Sequence, residues 1–420
     1  MTSSGSDEGE RRLNVLFITC DQLRRDGVGA MGLDTLNAVT PHMDQLAAEG
    51  TLFTQHITNA LPCGPSRTAL HCGILAMNHR VVQNGTPLAD RHTNWPREFK
   101  GLGLDPVLLG HTSTPQDPRQ FHPNDPILKQ THAAMPGFNP LFKSDMHDIS
   151  PKAWATWLEL THGYTHDGVK ELYSGYTPPG SSWLAPTQLQ EDGSAFYKTE
   201  HSDSAFMCLK AKEYIHSRQQ TDPDVPWSLH LSLWRPHPPW VCTAPYHQMY
   251  DPDQLQPFVR KPSAEEEAQA HPWLGWDTSA TLPASRTDEA TLRHMRSQYL
   301  GSVSEVDSQI GELFEFLKAS GEWERTLIVL TADHGEQLAD HWQLGKLGFF
   351  RQSYEIPLII RDPRASADGG RGQRVAAVTE HIDIAPTLIE AMGGTVPAAM
   401  DGNSLMPFIR DGPNPPIGAS

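Results

Sequence analysis

Two stretches of this chain are continuous apolar runs that end in an acid, and they leave few folds open. Asn14-Val15-Leu16-Phe17-Ile18-Thr19 leads into Cys20-Asp21-Gln22, and Leu327-Ile328-Val329-Leu330-Thr331 leads into Ala332-Asp333-His334-Gly335. Runs of this length without polar alternation suit strands buried on both faces, which is the habit of parallel sheets covered by helices. In open α/β sheets, ligands bind outside the carboxyl ends of the strands. Two strands that deliver carboxylates to that edge therefore outline a site, far apart as they are in sequence.

The rest of the pattern agrees. Leu292, Met295, Tyr299, Val303, Val306, Ile310, Leu313 and Leu317 recur at steps of three and four, which predicts a long amphipathic helix stopped near Gly321 and feeding the second run. Val107-Leu108-Leu109, Leu229 to Leu233 and Leu358-Ile359-Ile360 read as further strands, and Met43–Glu49, Arg67–Gly73 and Ile384–Met392 as helices. The expected class is α/β, a mostly parallel central sheet with helices on both faces. The aromatic, polar stretch from about Asn139 to Thr199 reads as surface loops around the cleft mouth. Residues 1–12 read as a disordered tail, 13–395 as the catalytic domain and 396–420 as the start of a short or truncated C-terminal subdomain.

Charge narrows the partners. Fifty acidic against 33 basic residues give −17, a mean field that repels nucleic acid and anionic membrane. A small anionic ester is admitted only if a few cations and a metal reverse the potential inside a cleft. Five cysteines, without regular spacing, make no disulfide framework, so Cys20, Cys72, Cys208 and Cys242 read as reduced and structural. No apolar run reaches bilayer length and residues 1–12 lack the apolar core of an export signal, so the cytoplasm is the expected compartment.

The chemistry gathers at a few positions. Asp21, Gln22, Asp333 and His334 offer two carboxylates, an amide oxygen and an imidazole at two strand ends. Such a set suits Ca²⁺, Mg²⁺ or Mn²⁺, with Zn²⁺ admitted by the imidazole. Each acid, taken alone, is equally at home as a helix N-cap. In Cys63-Gly64-Pro65-Ser66-Arg67, Pro65 fits the first turn of a helix, which puts residue 63 at a helix N-terminus where an anion is favoured. The same run also fits a plain buried cysteine ahead of a Pro-initiated helix. His237 follows a core strand in a proline-stiffened loop, Trp234-Arg235-Pro236-His237-Pro238-Pro239-Trp240, and is the candidate general acid, with a pKa expected near operating pH. Lys346 is a candidate point charge for substrate oxygens, and Asn84 a candidate neutral donor to one.

The Cys63–Arg67 run, closed by Leu70 and Gly73, resembles the activation motif of the sulfatase family, in which the cysteine is oxidised to formylglycine. Met77 through Asn84, Gly103 through Arg119, Asp333 through Lys346 and the Arg-Pro-His-Pro-Pro-Trp stretch are similar to the phosphonate monoester hydrolases. That branch is sulfatase-like and lies within the alkaline phosphatase superfamily. The likeness spans Leu13 to Phe408. It implies an alkaline phosphatase-like fold and a formylglycine made from Cys63 by the formylglycine-generating enzyme. It also implies one divalent ion held by Asp21, Gln22, residue 63, Asp333 and His334, with Arg67, Asn84, His237 and Lys346 on nucleophile or substrate. Phosphonate monoesters, phosphodiesters and sulfate esters would then be cleaved through a covalent intermediate on residue 63, since one hydroxyl of an aldehyde hydrate attacks and the other expels the product. Where that branch carries Tyr and Thr in its substrate pocket, this chain has His111 and Ser113. The resemblance also admits a homo-oligomer. The rival readings are a dedicated sulfatase and a non-catalytic anion-binding protein on the same fold.

Overall fold

The computed structural model describes residues 13–33, 35–129, 134–141, 152–164, 190–275 and 284–413. The tail expected over residues 1–12 and most of the expected loop stretch between Asn139 and Thr199 lie outside them. One eight-stranded sheet carries the molecule. Its strands are β1 (Asn14–Cys20), β2 (Thr51–Ile57), β3 (Pro106–Leu109), β4 (Asn139–Pro140), β5 (Ser228–Leu233), β6 (Thr326–Ala332), β7 (Glu355–Arg361) and β8 (Gln373–Glu380), in spatial order β4-β3-β5-β1-β6-β7-β2-β8. Every neighbouring pair is parallel except those made by β7, which runs against both β6 and β2. The mostly parallel α/β class expected from sequence is the one observed.

The two apolar runs form the centre. β1 lies between β5 and β6, and Cys20 is in register with Leu233 on one side and Ala332 on the other. Leu16, Ile18 and Cys20 enter one core layer while Val15 and Phe17 enter the opposite one, so no residue of the run faces water. Counting helices of six residues or more, the first layer is covered by α1 (Pro41–Glu49), α4 (Lys152–His162), α5 (Asp203–Thr221) and α6 (Glu289–Ala319). The second is covered by α2 (Cys63–Cys72), α3 (Trp95–Gly101), α7 (Ile384–Ala391) and α8 (Met406–Asp411). The loop reading fails at α4, where Trp154 and Leu158 are fully buried in the first layer. No helix among the described residues is long and apolar enough to cross a membrane.

Candidate active site

The tips of β1 and β6 emerge side by side, and the chain turns sharply at each to keep its acid at the edge. After Asp21 the backbone turns through Gln22, a non-glycine residue at φ 70°. That conformation is held by Tyr299 of α6, whose hydroxyl donates to the Gln22 carbonyl and accepts from the Arg24 N–H. At the other tip Gly335 is required, because a Cβ there would come within 1.9 Å of the Gln352 carbonyl oxygen. The two tips are tied directly, the Gln22 N–H donating to Asp333 Oδ1 at 3.0 Å.

α2 supplies the third component. Cys63 is its first residue, at the terminus where N–H groups point outward, and the Asn84 Oδ1 accepts from the Gly64 N–H at 2.7 Å. That contact leaves the NH2 group of Asn84 as what it can offer an anion. One turn on, Arg67 is fully buried and donates to Asp333 Oδ2 and Asp21 Oδ2, both at 2.9 Å, and to the Ser232 hydroxyl and the His111 carbonyl. Sequence placed Arg67 toward nucleophile and substrate; the structure engages it as a brace between the two strand-tip carboxylates. Its neighbours along the chain could not reveal this, since every acceptor it uses lies on another element.

One atom each from Asp21, Cys63, Asp333 and His334 fall within 4.8 Å of one another, all four residues buried. His334 Nδ1 lies 3.0 Å from the Gly335 carbonyl, which can only accept, so Nδ1 carries the proton and Nε2 presents a lone pair. That Nε2 lies 3.1 Å from Cys63 Sγ, 3.5 Å from Asp333 Oδ2 and 3.9 Å from Asp21 Oδ1. Asp21 Oδ1 is itself buried without a hydrogen-bond partner. Lone pairs thus face one another in a dry pocket, and a divalent cation fits that arrangement. The electrostatics agree. Burial first, then the Asp333 charge, pushes the Asp21 carboxyl up to about 7. Burial would raise Asp333 as well, but His334, Arg67 and Lys346 outweigh it and hold that carboxylate low.

The flanks complete the cleft. Beyond β3, His111 Nδ1 lies 3.1 Å from the Ser113 hydroxyl and His111 Nε2 lies 3.7 Å from Asp21 Oδ2. Lys346 donates to Gln22 Oε1 at 2.7 Å, so the amide oxygen expected on the metal and the ammonium expected on substrate are engaged with each other. Glu336 locks this pair from below. Its buried carboxylate accepts from the Gln22 side-chain amide and from the Leu338 and Gly345 N–H groups. His237 corrects an expectation: burial, and then the Lys346 charge, lower it well below the ordinary imidazole range, so it is neutral rather than poised near working pH. Its Nδ1 lies 2.8 Å from the Pro238 carbonyl. Arg235 holds its loop, with the guanidinium on buried Asp203 at the start of α5 and on the Pro239 carbonyl. Sequence reasoning passed over Asp203, Ser232 and His381; none sits in a motif, and only the sheet order brings them near.

The fold and these residues together define an alkaline phosphatase-like hydrolase with an acidic, histidine-containing pocket at the carboxyl edge of its sheet. The family model described as Sulfatase matches residues 13–394, and the chain belongs to the sulfatase family. It is 36% identical over 417 residues to the multifunctional alkaline phosphatase superfamily protein PehA of Trinickia caryophylli, covering 96% of this chain and 78% of that one. It is 24% identical to the choline-sulfatase of Rhizobium meliloti, over 94% of this chain and 71% of the relative. Among solved structures, the phosphonate monoester hydrolase of Silicibacter pomeroyi superposes with a TM-score of 0.84 at 37% identity, over 96% of this chain and 78% of that one. That of Agrobacterium radiobacter gives 0.83 at 34%, over 97% and 78%.

Proposed function

We propose that this chain hydrolyses phosphonate monoesters, phosphodiesters and sulfate esters at residue 63, using formylglycine made from Cys63 and one divalent ion held by Asp21, Asp333, His334 and Gln22. The observation that carries the reading is the convergence of Cys63, Asp21, Asp333 and His334 within 4.8 Å, braced by Arg67. Identities of 36% and 37% to a multifunctional superfamily member and a phosphonate monoester hydrolase, against 24% to a choline-sulfatase, favour the broad reading over a dedicated sulfatase.

Each residue then has a defined task. Formylglycine hydrate supplies paired hydroxyls on one carbon, and a divalent ion lowers the pKa of a hydroxyl and offsets charge on substrate oxygens. Arg67 fixes the two carboxylates against their mutual repulsion. The lone pair of His334 faces residue 63. The Asn84 amide and the Lys346 ammonium, on opposite flanks, bind nonbridging oxygens of the ester, while His111 and Ser113 shape the pocket beside Asp21. His237 enters neutral. An anionic ester offsets the Lys346 charge that keeps it so, which raises its proton affinity in the bound state and lets it protonate the departing oxygen.

The test begins with intact mass and peptide mapping of residue 63. Turnover of matched phenyl phosphonate, diphenyl phosphate and phenyl sulfate by converted, metal-loaded protein follows. All three should be hydrolysed, with the phosphonate ester at the highest kcat/KM. A strong preference for the sulfate would favour the dedicated sulfatase, and inactivity on all three would remove the proposal.

A further inference from the structure

The activation run carries a serine for which neither the metal nor the nucleophile has a use. Ser66 is fully buried, and its hydroxyl donates to the backbone carbonyl of Asp333 at 2.5 Å. It accepts from the Thr58 hydroxyl at 3.0 Å and lies 3.3 Å from His381 Nδ1. His381, also fully buried, stands in the turn before α7 and reaches the neighbouring carbonyl of Ala332 with Nε2 at 2.9 Å. Two successive carbonyls at the tip of β6, just where the Cys20–Ala332 register ends, are therefore taken by two side chains from two other elements.

The placement couples the three parts of the site. Ser66 lies three residues after Cys63 on the same helix, and Asp333 and His334 leave the backbone at the carbonyl that Ser66 holds. Fixing that bond fixes the 3.1 Å approach of Cys63 Sγ to His334 Nε2. A carbonyl cannot donate, so the bond to Ala332 requires the proton of His381 on Nε2. Burial lowers this imidazole to about 4, which keeps it neutral and in that tautomer at working pH. The ring of His56 lies 5.3 Å away behind it and Thr58 stands in front, so His381 has little freedom to turn.

We propose that Ser66 and His381 are positioning residues: they rivet the tip of β6 to the first turn of α2 and so set the distance between residue 63 and the Asp333–His334 pair. The role rests on the function proposed above but does not touch substrate. Since misplacement of reacting groups by about 1 Å can cost on the order of a hundredfold in rate, a loosened rivet should appear in kcat before it appears in folding.

The experiment uses the full chain with Ser66→Ala, His381→Leu and His381→Gln. The fraction of residue 63 converted is measured by intact mass, so that rates are expressed per converted site. The dissociation constant for Mn²⁺ is measured by calorimetry on each protein, at a temperature well below its Tm. For Ser66→Ala and His381→Leu, kcat on phenyl phosphonate should fall at least tenfold with KM within about threefold, and Mn²⁺ should bind more weakly. Glutamine keeps an N–H for the Ala332 carbonyl, so His381→Gln should recover most of both. Native kcat per converted site and native Mn²⁺ affinity in Ser66→Ala and His381→Leu would overturn the proposal, as would equal losses in the leucine and glutamine variants. If His381→Leu does not fold, Ser66→Ala decides alone. Inactivity of the wild-type chain on every ester would instead remove the proposed function, and the Mn²⁺ measurements would still judge the rivet.

Discussion

Arg67 donates from three nitrogens to four oxygens, two of them carboxylates, and a point charge cannot reproduce that fork. Arg67→Lys should keep the positive charge yet release one of the two acids, weakening Mn²⁺ binding by tenfold or more when measured by calorimetry. Arg67→Ala should cost the fold itself about 3–5 kcal/mol, because it leaves buried carboxylates facing each other uncompensated. Asp21 makes a second prediction. Its metal-free carboxyl is pushed up to about 7, above an ordinary value of about 4, so the protonated form stabilises the metal-free fold. That contribution is complete below about pH 4 and is lost as pH rises through about 7. The Tm of chelated protein should therefore drop between about pH 5 and 8, while Mn²⁺-loaded protein shows no such drop and the gap between them widens; parallel pH curves would reject the coupling. At this scale the donors themselves were legible, because Asp21, Cys63, Asp333 and His334 carry their chemistry in their identities. What they touch was not. Spacing put Arg67 one turn after Cys63, but not between two acids from β1 and β6.

The joint between α1 and α6 shows the same limit one level up. Pro41 opens α1, and Thr40 before it makes no side-chain cap. The missing cap comes from Asp307 in the middle of α6, whose carboxylate accepts from the His42 and Met43 N–H groups at 3.1 and 2.8 Å. Asp307→Ala leaves two donors without partners in a buried joint and should cost about 2–3 kcal/mol in a denaturant titration, with Asn recovering roughly half. An unchanged midpoint would mean that water replaces the carboxylate. α6 itself was plain from its period, and β1 and β6 from their unbroken apolar runs. β8 was not, since it closes one edge of the sheet and only Val375 and Thr379 along it are buried. β2 mixes Thr, Gln and His into its run, and a strand that pairs with antiparallel β7 and parallel β8 shows neither clean alternation nor a continuous apolar stretch. α4 was misread because its polar residues crowd the face away from Trp154 and Leu158, which dulls the contrast that a period needs.

For the molecule as a whole, the −17 charge and an anionic ester oppose each other, and distance decides which effect governs binding. Most of the acids are spread over a surface many ångströms from the cleft, whereas Lys346 stands directly beside Gln22 in the site. The Debye length shrinks from about 30 Å at 0.01 M salt to about 10 Å at 0.1 M, so added salt screens the distant repulsion first. Attraction across a few ångströms in a partly buried pocket is screened much less. KM for phenyl phosphonate should therefore fall severalfold as NaCl rises from about 0.01 to 0.1 M, with kcat nearly unchanged. A KM that climbs over this range would show that the positive groups of the cleft, not the acidic exterior, set the approach of substrate. In that case Lys346→Met should abolish the climb while leaving the surface charge almost as it was.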